Sequence, residues 1–422
     1  MDMDEHKKGG HVPELRFPGF EGEWEEKRLG DVFTRIKTKN GENNTNVLTI
    51  SAQYGLISQL NFFKKSVAAE DVTGYYLLHK GDFAYNKSSS QGRPVGAIKP
   101  LKLYDKGVVS TLYICFRCKN PEEISFWEQY FEADILDSEI KSIAQEGARN
   151  HGLLNIPTTD FFNLTVWHPT LAEQRKIAEC LEAADETIVG QQKAVDALKG
   201  KKKGLMQQLF PQEGARTPRL RFPGFSGDWE RPTIAEVFEI RNGYTPSKRE
   251  PAYWTNGTIP WFRMEDIREN GGILADSIQH ITPSAIKGSG LFKKNSIILA
   301  TTATIGVHAM IIADSLANQR FTNFSIRKSL KNSYDSMFVY YAFFGIDEWS
   351  KRNTNAGGLL SVNMPALLKQ AFPSPTLAEQ QKIAQCLSAL DETINAAQQR
   401  LDALKAHKKG LMQKLFPKPD KQ

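Results

Sequence analysis

From Ile177 onward, apolar side chains recur at alternating spacings of four and three residues. One row runs Ile177, Ala184, Gln191, Leu198 and Leu205; its companion runs Leu181, Ile188, Val195, Lys202 and Leu209. Two interleaved rows with a seven-residue period mark a helix that pairs along one seam. The pattern returns in Ile383, Leu390, Ala397, Leu404 and Leu411, beside Leu387, Ile394, Leu401, Lys408 and Leu415. Thr170 with Glu173, and Thr376 with Glu379, have the spacing of a capping box and predict where each helix opens. A stretch of some forty residues would make a rod of roughly 60 Å. Gln191, Lys202 and Lys408 interrupt the seam.

These helices are one sequence written twice. Residues 169–212 and 375–418 align without a gap at an offset of 206 (375 − 169), and about two thirds of the positions are identical. A shorter pair precedes them: PELRFPGFEGEWEEKRLGDVF from Pro13 and PRLRFPGFSGDWERPTIAEVF from Pro218, an offset of 205 (218 − 13). Between these markers the halves diverge. The organisation is a first variable domain over 13–168, a long helix over 169–211, a polar linker over 212–217, a second variable domain over 218–374, and a second helix over 375–417. Two such helices in one chain pair most naturally as an antiparallel coiled coil with approximate two-fold symmetry. A shared scaffold with unlike domains lets each domain present a different surface.

Inside the variable domains the runs alternate at the period of strands in TLYICFR (from Thr111), NLTVWH, SIILATT (from Ser296) and FTNFSI. Helical patterns lie at 125–145 and 337–352. Each variable domain therefore reads as α+β with a mixed sheet.

Composition narrows the picture only in part. With 422 residues, 40% hydrophobic and 24% charged, the chain has the make-up of a soluble multi-domain protein. Mean hydropathy is −0.43. The longest apolar stretch, Phe338 to Ile346, is too short to cross a bilayer, and the polar N-terminus does not resemble a signal peptide; a cytoplasmic location is the expectation. A net charge of +6 leans toward a polyanionic partner. Cys115 and Cys118 form a C-x-x-C at a strand end, without the second ligand pair of a structural zinc site. Cys180 and Cys386, at equivalent places in the repeat, are expected to be small buried packing residues. The lysines near the helix ends (Lys199, Lys201, Lys202, Lys203 and Lys405, Lys408, Lys409) fit helix-dipole compensation and solvation best, with phosphate contact or an acidic partner as the alternative.

Polar, glycine-containing loops are where DNA contact is expected, because Arg and Lys address guanine edges, Asn and Gln adenine edges, and Ser or Thr phosphates. In the first domain these supply Lys87, Ser89, Gln91, Arg93, Arg149, Asn150 and His151. In the second they supply Tyr244, Thr245, Lys248, Arg249, Arg263, Thr301, Thr302, Asn318, Gln319, Arg320 and Arg352. No methyltransferase Asn/Asp-Pro-Pro-Tyr/Phe element, phosphate loop or H-E-x-x-H occurs. The string Asp137, Glu139, Lys141 lies in an amphipathic helix, and His168 has no obvious nucleophile beside it.

The two PTLAEQ-x-KIA openings, the two RFPGF-x-G-x-W leaders and the two LMQ-x-LFP endings make the chain resemble the specificity subunits of type I restriction–modification systems. NGYTPS followed by YW-x-NGTIPWF, and later TTATIG and NQRF, in the second domain are similar to that family's target-recognition pattern. The first domain departs from it, with Lys37-Thr38 where the second has Gly243-Tyr244-Thr245-Pro246. The resemblance implies that each variable domain reads one half of a bipartite, asymmetric site in double-stranded DNA. It implies two methyltransferase subunits and restriction/motor subunits as partners, with S-adenosylmethionine, ATP and Mg on those partners and no catalytic, metal or cofactor site in this chain. A coiled-coil scaffold without base reading, and a nuclease or methyltransferase acting alone, are the competing readings.

Overall fold

The computed structural model describes residues 11–51, 55–63, 71–88, 93–144, 152, 154–355 and 360–417. The chain divides into two compact units, residues 1–192 with 399–422, and residues 193–398. Each long helix is therefore shared, half to each unit, whereas the sequence boundaries fall at the helix ends.

In the first unit the central sheet comprises β1 (Phe33–Arg35), β2 (Phe83–Asn86), β3 (Ala97–Pro100) and β4 (Ile114–Cys118), in spatial order β1-β4-β2-β3 with antiparallel pairing throughout. Helix α1 (Ile124–Glu132) packs beside β3. The helix expected over 125–145 is broken: Asp134 takes a left-handed φ of 57°, and a second helix restarts at Asp137–Ile143. Phe33, Phe83, Phe116, Trp127 and Phe131 fill the core. The leader contributes a strand, Glu25–Arg28, that pairs with Thr165–His168.

In the second unit β5 (Phe238–Asn242), β6 (Ser296–Ala300), β7 (His308–Ile311) and β8 (Phe321–Ile326) take the order β5-β8-β6-β7, again antiparallel. A short strand, Ile273–Leu274, adds in parallel to β7. The four-strand order is that of the first unit, although the intervening sequences differ. A helix that packs on β6 and β7 is Ser336–Arg352. It buries Phe338, Tyr341 and Phe343, and this burial explains the apolar run in the sequence. Among the described residues, no helix is long and apolar enough to cross a membrane.

The long helices are Leu171–Leu209 and Leu377–Leu415. Every seam position predicted on them is buried or half-buried. In the first unit Ile177 and Leu181 cluster with Met412 and Leu415, while Asp185 meets Lys408 at 2.6 Å, so the segments run antiparallel. In the second, Leu209 clusters with Ile383 and Leu387, and Lys202 meets Asp391 at 2.6 Å. The seam lysines are thus ion-paired. Each seam aspartate also holds its domain's helix: Asp185 accepts from Gln129 Nε2 at 2.9 Å, and Asp391 from Tyr341 Oη at 2.8 Å.

The repeated leader and helix opening meet in a clamp. Arg16 donates from Nε and Nη2 to the two oxygens of Glu173 at 2.7 and 2.8 Å, and Arg221 does the same to Glu379 at the same distances. Hydrogen bonding to Glu173 raises the Arg16 pKa above its ordinary value. Only half of each expected capping box forms. Thr170 and Thr376 accept from the backbone N–H of Glu173 and Glu379, but both carboxylates turn away to the arginines, which offer two charged donors each.

Candidate nucleic-acid interface

In the second unit one edge of the sheet gathers most of the predicted residues. β5 and β6 end there, and the antiparallel β8 begins there. Gly243 donates its N–H to Phe321 O at 2.9 Å and Tyr244 to Ala317 O at 2.9 Å, which lays the loop after β5 against the turn before β8. A Cβ on Gly243 would lie 2.2 Å from Asn318 O and 2.4 Å from Ala317 O, so only glycine allows this approach. Asn318 N–H bonds Phe262 O at 3.0 Å and brings in Arg263; Thr301 N–H bonds Arg320 O at 2.9 Å and brings in the loop after β6. Tyr244, Thr245, Arg263, Thr301, Thr302, Asn318, Gln319 and Arg320 therefore share one edge, with Lys248 and Arg249 exposed farther along the first loop.

Their roles on that edge separate. Tyr244 Oη donates to Ala285 O at 3.1 Å and accepts from the Lys287 N–H at 2.9 Å, while its ring packs on the core: it anchors the loop. Thr301 is buried, bonded to Thr322 Oγ1 at 3.0 Å, and cannot reach a phosphate. Asn318 Oδ1 accepts from the Arg320 N–H at 3.0 Å and shapes the turn. Thr245 Oγ1 donates to Gln319 Oε1 at 2.5 Å, holding the amide oxygen. Arg263 lies over the Trp261 ring at 6.0 Å. Gln319, Arg320, Lys248 and Arg249 are the exposed side chains. Two tryptophans complete the support, and the sequence reading assigned neither: Trp254 donates to Ser247 O and Trp261 to Tyr244 O, each at 3.0 Å. Their signal was their place in YWTNGTIPWF, directly after the loop they pin.

Arg352 lies elsewhere, 3.7 Å from Glu213, and lines a cavity of about 860 Å³ with Lys199, Lys203, Phe210 and Trp229. In the first unit, Lys87 follows β2 and is half-buried, and burial lowers its pKa. Arg93 is committed to Glu132 and Asp134, so its charge is already matched. Ser89, Gln91, Arg149, Asn150 and His151 lie outside the described residues.

Other candidate chemistry resolves into packing. Cys115 and Cys118 are buried in separate hydrophobic clusters, and burial pushes both thiols up to about 12. Cys180 and Cys386 are half-buried rather than buried, because they flank the seam instead of occupying it. Glu139 accepts the Thr165 N–H at 3.1 Å, and burial raises its pKa. His168 bonds Glu123 at 3.0 Å. No group of three or more potential metal ligands occurs among the described residues.

Comparison with known proteins agrees with this architecture. Residues 21–195 and 226–406 match the type I restriction modification DNA specificity domain. A 142-residue stretch is 48% identical to the type I restriction enzyme EcoprrI specificity subunit of Escherichia coli, covering 34% of this chain and 35% of that relative, about a third of its length. The MjaVIII specificity subunit of Methanocaldococcus jannaschii is 24% identical over 326 residues, 74% of each chain. The fold matches the type I S subunit from M. genitalium with a TM-score of 0.53 at 15% identity, over 97% of this chain and 100% of that one. A chain from a type I R-M system studied for complex assembly and conformational transition matches with a TM-score of 0.59 at 18% identity, over 96% and 99% of the two chains.

Proposed function

Because the chain belongs to the type I restriction–modification DNA specificity family, we propose that it selects a bipartite, asymmetric DNA site, each variable domain reading one half. The observation that carries this reading is the pair of sheets with one strand order but unlike polar loops. A fold kept constant beneath a changed edge fits two readers of different sequences, whereas a scaffold has no need of unlike edges. In this reading the exposed Arg320 and Gln319 of the second domain would address base edges, and the exposed Lys248 and Arg249 phosphates.

The partners in this reading are two methyltransferase subunits docked on the long helices, with restriction/motor subunits beyond them. S-adenosylmethionine, ATP and Mg would belong to those partners, and the assembly would work in the cytoplasm. This chain supplies the address and no reacting group.

Methylome mapping in cells expressing the full chain with its methyltransferase partner tests the proposal. The expected result is one modified motif in two separated halves, with Arg320→Ala relaxing one half alone. A continuous motif would refute the two-reader arrangement, and absence of any motif would favour the scaffold reading. Binding to DNA should also weaken steeply with salt.

A further inference from the structure

The first variable domain lacks the second domain's loop motifs, yet its backbone carries the same reading turn. Phe33 and Phe238 occupy equivalent places, 205 residues apart (238 − 33), in the repeated leader. Phe33 pairs with Cys118 and Phe238 with Ile326, so β4 and β8 can be aligned position by position. The remaining ladders keep the register: Phe116 lies opposite Phe83, and its counterpart Phe324 lies opposite Ile297. Eight residues back from Cys118 and Ile326 stand Ser110 and Asn318.

Both residues build the same turn. Ser110 Oγ accepts the Leu112 N–H at 3.3 Å and Ser110 O accepts the Tyr113 N–H at 3.1 Å. Asn318 Oδ1 accepts the Arg320 N–H at 3.0 Å and Asn318 O accepts the Phe321 N–H at 3.1 Å. Thr111 and Leu112 thus stand where the second domain has Gln319 and Arg320. The sequence pattern placed Thr111 at the start of a strand, but the strand begins at Ile114.

We infer that the Ser110–Tyr113 turn is a base-reading element of the first domain, with Leu112 its specificity-determining side chain, set against a thymine methyl group. This rests on the proposed DNA reading. Leu112 is 58% exposed, which leaves an apolar side chain projecting where its counterpart is an arginine. Apolar contact in the major groove discriminates by the thymine methyl, as an arginine discriminates by the guanine edge. Lys37, exposed just past β1, and the half-buried Lys87, just past β2, flank the same edge and suit the neighbouring phosphates.

The test is methylome mapping with the full chain and its methyltransferase partner, comparing wild type, Leu112→Ala and Leu112→Arg, with melting temperatures measured on the same proteins. Leu112→Ala is expected to weaken discrimination at one A·T position about fivefold or more, and Leu112→Arg to shift that position toward G·C. The other half-site stays unchanged. An unaltered motif in both variants overturns the inference while leaving the proposed function standing. A lowered melting temperature overturns it too, by showing Leu112 to be a packing residue. Absence of a bipartite motif in the wild type removes the proposed function itself.

Discussion

Lys202 Nζ lies 2.6 and 2.8 Å from the two carboxylate oxygens of Asp391, and the same pair recurs with the repeats exchanged, Lys408 Nζ lying 2.6 Å from Asp185. The first repeat gives its lysine to one unit and its aspartate to the other. An apolar seam would tolerate slippage by a heptad, whereas these charges are satisfied in a single register. Asp391→Ala should destabilise the second unit by about 1–3 kcal/mol, since it strands an ammonium at a half-buried seam position. Replacing both residues by leucine should cost less than the single change, as measured in a urea-melting double-mutant cycle. Additive costs, with the double equal to the sum of the two singles, would mean that the pair contributes nothing.

The Arg16–Glu173 clamp should behave differently under conservative change. Glu173 is almost wholly buried, and Arg16→Ala would leave its carboxylate uncompensated, at a cost of about 3 kcal/mol or more. Arg16→Lys should recover little, because a lysine cannot donate in parallel to both oxygens. Arg221→Lys is expected to repeat the result at Glu379. Thermal unfolding of these three single variants would expose any asymmetry between the halves.

Gly243→Ala places a carbon against two carbonyl oxygens and should separate the loop after β5 from the turn before β8. We expect a stability loss of about 1–3 kcal/mol, as for other overpacked sites. Methylome mapping should show relaxed reading confined to one half-site. Unchanged reading would place the DNA contacts away from this edge.

Titration should weaken the fold on the alkaline side. Burial raises Cys115 and Cys118 from an ordinary value of 9.0 to about 12, and Tyr340 from 10.0 to about 12. Groups whose folded pKa exceeds the unfolded value contribute stability that is complete below the unfolded pKa. That contribution is lost as pH rises toward the folded one. Unfolding free energy should therefore fall between pH 9 and 12, measured by urea melts across that range. Under native conditions at pH 8, Cys180 and Cys386 should react with a thiol reagent well before Cys115 and Cys118.

The long helices were legible because heptad spacing depends on local period alone, and their termini because Thr-x-x-Glu is a local signal. Partners distant in sequence were not. Nothing near Lys202 reveals Asp391, and nothing near Glu173 shows that Arg16 will draw it away from its cap. Thr301 looked like a polar loop residue, yet the Thr322 hydroxyl and the Arg320 carbonyl enclose it. Leu112 went unnoticed for the opposite reason: an apolar residue in a β-rich run reads as core, and only the Ser110 turn lifts it out of the strand.

The shared strand order also bears on how such a protein can change over generations. The cores that stabilise each unit lie on the sheet faces and beneath the packed helices, whereas the turns at one edge hold their shape by bonds from backbone N–H groups to Ser110 and Asn318. Drift in Thr111, Leu112, Gln319 or Arg320 therefore escapes the penalty that falls on Phe33 or Phe238. A lineage could acquire a new dialect at these few positions while inheriting its folding unaltered.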